Sequence, residues 1–119
     1  MPAHRRTDPD LGRAALDRVL ETSEPDPADL RDAVRFLLEE LAARVPGRSV
    51  EVRVPPYGAV QCVPGPRHTR GTPPNVVEID PATWVSLATG RSDWATAVAE
   101  GRVRASGERA DLSAYLPVV

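Results

Sequence analysis

The 119-residue chain is long enough for one modest core, and its formal net charge of −2 gives no strong basic field for nucleic acid. No apolar run approaches the roughly 20 residues that span a bilayer, and the start, Met1 to Asp10, has two arginines but no apolar stretch behind them, unlike a signal peptide. The lone Cys62 excludes an internal disulfide, so the expectation is a cytoplasmic, reduced, soluble protein without integral membrane association.

Residues 1–7 carry no periodic pattern and read as a disordered arm, with 8–119 as one domain. Asp8-Pro9 is a helix start. The carboxylate can accept from orphan backbone N–H groups, and a proline in the first turn needs no partner. Leu11, Ala15, Leu16, Val19 and Leu20 follow at helical spacing, to about Thr22. Asp26-Pro27 repeats the start. Leu30, Val34, Leu37, Leu38 and Leu41 then form an apolar stripe on a helix over about 28–44, stopped by Val45-Pro46-Gly47. The two helices, 8–46, are expected to form an antiparallel hairpin over something apolar.

The period then changes to two. In Val50-Glu51-Val52-Arg53-Val54 the valines face one way and the charges the other, as in a strand with one wet face. Pro55 to Gly58 is a turn, and Ala59–Val63 a second strand hairpinned to the first. Pro64–Pro74 is a loop rich in proline and glycine, and Val76–Ile79 a third strand. The residues alone suggest antiparallel pairing throughout. Asp80-Pro81 starts a third helix, with Trp84, Leu87 and Ala88 on one face and Gly90 as its stop. Ser92 is the expected cap of a fourth helix, on which Trp94, Ala97 and Val98 share a face up to Gly101. A strand over 102–106 and a last helical turn, capped by Asp111 and running to Leu116, complete the 48–119 sheet-plus-helix portion. The class is α+β.

From Asp80 onward the pattern D-P-x-x-W-x-x-L-x-x-G-R-x-x-W-x-x-A-x-x-x-G-x-V-x-x-S-G resembles the sterol carrier protein family. Asp80, Trp84, Leu87, Gly90, Trp94, Ala97, Gly101, Val103 and Gly107 carry the likeness. Over about 48–117 the chain is similar to the short actinobacterial-type branch of bacterial sterol carrier orthologues. The resemblance implies a twisted mixed sheet covered by helices on one face and enclosing an apolar tunnel. It also implies non-enzymatic binding of acyl, lipid or sterol-like molecules, with no cofactor. Scarce aromatics and the proline-rich loop set this chain apart from the better-known carriers.

An apolar ligand is held by area removed from water, which requires smooth aliphatic walls. Val52, Val54, Val60, Trp84, Leu87, Trp94, Val98 and Leu116 are the candidate walls. The competing reading is that they form a solid core in a protein-interaction or structural domain. A tunnel in so short a chain should be small or completed by a partner copy in a homodimer. His68, Thr69 and Arg70, within the stretch Arg67–Thr72, are candidate polar groups at its mouth. They could grip a carboxylate or phosphate, directly or as an accessory to an enzyme, or merely order the loop. Cys62 and His68, with His4 in the arm, fall short of a metal signature. Cys62, in a strand on the face of Val60, is expected to be a buried, inert thiol.

Overall fold

The computed structural model of the protein describes residues 7–65 and 75–119. In chain order it contains α1 (Pro9–Leu20), α2 (Pro27–Arg44), β1 (Val50–Val54), β2 (Gly58–Cys62), β3 (Val76–Ile79), α3 (Pro81–Ala88), α4 (Trp94–Ala99) and β4 (Val103–Ser106). A 3-10 turn, Ser113–Tyr115, precedes the C-terminal residues. The fold is α+β, with a four-stranded mixed sheet in the order β2-β1-β3-β4.

Each Asp-Pro start is a working cap. Asp8 accepts from the N–H groups of Asp10 and Leu11, Asp26 from Ala28, and Asp80 from Thr83. Caps of this kind contribute about 1 kcal/mol each. The fourth cap differs from expectation: Asp93, not Ser92, accepts from the Thr96 N–H. A carboxylate one residue nearer the helix reaches that donor, and it takes the Thr96 hydroxyl as well.

The helices α1 and α2 pair closely because Gly12 lies against Phe36. A Cβ at Gly12 would stand 2.6 Å from the Phe36 Cβ, closer than carbon atoms tolerate. Helix α2 packs in turn on β2 and α3. Thr7, assigned by sequence to the arm, donates its N–H to Glu39 at 3.2 Å.

One strand pairing corrects the antiparallel expectation. The hairpin β1–β2 and the pair β3–β4 are antiparallel, but β1 and β3 run parallel, with Val52 opposite Val77. Parallel neighbours need a long crossover, and the chain between Val54 and Val76, which includes β2, supplies it. Just after β2, Val63 has a φ of +67°, in the left-handed region that a β-branched residue avoids. Its N–H donates to the Val45 carbonyl, and its own carbonyl accepts from the Ser49 N–H and hydroxyl.

Val50, Val52, Val54, Val77 and Ile79 point to the helix-covered face and are buried. Burying such a side chain is worth about 1.5–3 kcal/mol. On the other face lie Glu51, Arg53, Glu78 and Arg104, paired as Arg53–Glu51 at 3.0 Å and Arg104–Glu78 at 3.9 Å. These solvated pairs add about 1 kcal/mol or less each.

Candidate functional site

The C-terminal part of the chain builds a half-open groove. Gly90, with φ of +78°, turns the chain out of α3 where an L side chain would be strained. The N–H groups of Arg91 and Ser92 then both donate back to the Ser86 carbonyl, at 2.8 and 3.1 Å. This turn holds the α3–α4 connection as one wall. The opposite wall is the C-terminal segment, pinned over α3 where Val118 is buried and donates its N–H to the Ala88 carbonyl at 2.9 Å. The glycines of the sequence pattern have clear duties here. Gly90, Gly101 and Gly107 all take positive φ, at 78°, 76° and 103°.

The groove has a volume of about 430 Å³ and is lined by Leu87, Gly90, Arg91, Ser92, Asp93, Trp94, Ser113, Leu116 and Pro117. Leu87 is its buried floor, while Trp94 and Leu116 are half-buried along its sides. Its rim is polar. Ser113, through its hydroxyl and then its N–H, holds the Asp111 carboxyl below the usual carboxylate range. Among the described residues, the Arg91 guanidinium makes no hydrogen bond or ion pair, although Arg18, Arg31, Arg53 and Arg102 each meet a carboxylate.

Three of the eight candidate walls, Leu87, Trp94 and Leu116, come together in this groove. The others do not. Val52, Val54 and Trp84 are fully enclosed in the core, and the Trp84 indole N–H donates to the Val34 carbonyl at 3.3 Å. Packed against the cluster from its margin, Val60 lines a different groove between α2 and β2, with Arg35, Tyr57 and Glu39. That groove's two charged side chains are already engaged, Arg35 with the Tyr57 carbonyl and Glu39 with the Thr7 N–H. Val98 points outward and is 40% exposed. It shares the helical spacing of Trp94, but α4 is a short surface helix on which only Ala97 is buried. His68, Thr69 and Arg70 lie outside the described residues.

Sequence reasoning passed over Arg91, Pro117 and Asn75. Arg91 follows a helix-stop glycine, where a charged residue is ordinary, so only its place beside Trp94 marks it. Asn75 is a buried staple. Its side-chain N–H donates to the Ser49 carbonyl at 2.7 Å, and its side-chain oxygen accepts from the Arg109 N–H at 2.9 Å. It thereby ties the starts of β1 and β3 to the segment after β4.

Cys62 is enclosed, and desolvation pushes its thiol up from 9.0 to about 11. It is therefore a poor nucleophile at neutral pH. No group of three His, Cys, Asp or Glu suited to a metal occurs among the described residues. None of the described helices is long and apolar enough to cross a membrane.

Comparison with known families gives one decisive match. The family described as bacterial SCP ortholog matches residues 26–118. The chain belongs to this sterol carrier protein-like family. The match begins at Asp26, the cap of α2, and runs through the whole sheet and the groove; α1 lies before it. No curated protein matches the chain. Membership in the family suggests lipid binding or carriage as the general role.

Proposed function

We propose that this protein binds and carries an apolar molecule, without chemistry, in the groove between the α3–α4 turn and the C-terminal segment. One observation carries the reading: Trp94 and Leu116 remain half-buried over the floor at Leu87, on a chain whose other large apolar side chains are mostly sealed. Covering those side chains with an alkyl chain removes apolar area from water at about 25 cal/mol per Å². Family membership supports the same role. A buried, unreactive Cys62 offers no cysteine nucleophile, in keeping with binding without chemistry, and a lone free thiol suits the cytoplasm.

The test is thermal unfolding of delipidated protein with a neutral long-chain alcohol. A ligand that binds only the folded state raises Tm by mass action. The expected result is a concentration-dependent rise that Trp94→Ala removes. No rise with either the alcohol or a sterol would sink the reading.

The solid packing of Val52, Val54 and Trp84 favours a second reading. In it the tunnel beneath the sheet has been filled, and the domain serves as a protein-interaction or structural unit. That reading expects no Tm response to any apolar ligand.

A further inference from the structure

We propose that the groove takes a single-chain amphiphile with a zwitterionic head group, held with its anionic part on Arg91 and its cationic part on Asp93. This deepens the apolar-ligand reading above and rests on it. The floor and sides, Leu87, Trp94, Leu116 and Pro117, offer an alkyl chain a partly covered channel. At about 430 Å³ the groove sits low in the range of about 300–1,000 Å³ for small-molecule sites, which leaves room for a single alkyl chain with its head group at the rim.

The rim then carries two opposite charges that do not cancel each other. Arg91 and Asp93 line the same groove, yet they form no ion pair, and Arg91 has no other side-chain partner among the described residues. Asp93 uses one oxygen, Oδ2, for the α4 cap, accepting at 3.0 Å from both the N–H and the hydroxyl of Thr96. Its Oδ1 has no partner among the described residues and remains for a ligand. A purely anionic head would gain Arg91 but face Asp93 uncompensated, and a purely cationic head would meet the reverse. A head with both signs, such as a phosphocholine, satisfies the two together. Its quaternary ammonium also suits the face of a neighbouring indole, here Trp94.

Calorimetric titration of the whole protein tests this with four detergents of one chain length, each below its micelle concentration. They are dodecylphosphocholine, dodecanoate, dodecyltrimethylammonium and neutral dodecyl maltoside. The phosphocholine should bind tightest. Arg91→Ala should weaken it about tenfold, the scale of one charge-assisted hydrogen bond. Asp93→Asn, which keeps a good helix cap, should erase its advantage over dodecanoate while leaving dodecanoate binding equal or stronger. If dodecyl maltoside or dodecanoate binds the unaltered protein as tightly as the phosphocholine, the head-group assignment is overturned and the apolar groove stands. Unchanged preferences in both variants would also overturn it. If none of the four binds, the apolar-ligand reading falls and takes this inference with it.

Discussion

The two tryptophans, ten positions apart in sequence, occupy opposite kinds of environment. Trp84 on α3 has no exposed surface, and its indole N–H is satisfied by the Val34 carbonyl of α2. Trp94 at the start of α4 is half-buried, with one side on the groove and no indole hydrogen bond among the described residues. The first closes the core and the second leaves a wall available. The difference teaches where binding can occur in a domain this small. Val52, Val54 and Trp84 are buried between sheet and helices, whereas Trp94 keeps part of its surface exposed on the groove under the C-terminal segment.

Substitutions that respect this division should separate stability from binding. Trp84→Ala should cost about 3–5 kcal/mol, the usual loss for an enclosed aromatic side chain, seen as a lower denaturation midpoint. A loss below that of Trp94→Ala would erase the distinction between the two regions.

The sealed side should also show in its pH dependence. The folded Cys62 thiol is raised to about 11 from 9.0, so folding favours its protonated form. The associated stability is complete below pH 9.0 and is lost as pH rises through about 11. Two units correspond to about 2–3 kcal/mol. Denaturation curves across this window should therefore decline more steeply for the native protein than for Cys62→Ala. Equal slopes would mean that the thiol reaches water.

A smaller loss is expected at the staple. Asn75→Ala leaves the Ser49 carbonyl and the Arg109 N–H without their partner, at about 1–3 kcal/mol. Hydrogen exchange should locate the loosening at the starts of β1 and β3, and an unchanged pattern there would refute the staple's role. Trp94→Ala should have the least effect on folding, within about 1 kcal/mol by denaturation, while removing the ligand response. A larger stability loss would place Trp94 with the core instead.

How much of this was legible in the sequence follows from the range of the physics. The Asp-Pro caps act within three residues, so Asp8, Asp26 and Asp80 announce their helices. Period two in Val50–Val54 gives the covered and wet faces of β1 directly. The parallel pairing of β1 with β3 is different, because it joins segments more than 20 residues apart, and no local pattern encodes that. The family resemblance supplied the mixed sheet that local patterns missed. Periodicity likewise assigns a side chain to a face but cannot say whether that face meets protein, a groove or solvent. Hence Val54, Leu87 and Val98 look alike in sequence, yet they occupy the core, the groove floor and the exposed surface. Arg91 and Asn75 gave no signal because their roles depend on partners, or the lack of one, that only folding defines.

The central claim is that ligand binds beside Trp94 and not beneath the sheet at Trp84. Single-tryptophan variants, Trp84→Phe and Trp94→Phe, titrated with a bromine-tagged long-chain alcohol, test it most directly, since bromine quenches only an indole it touches. Emission should fall in the variant that retains Trp94 and hold steady in the one that retains Trp84. Quenching of Trp84 with Trp94 unaffected would contradict the account and put the ligand back in the core.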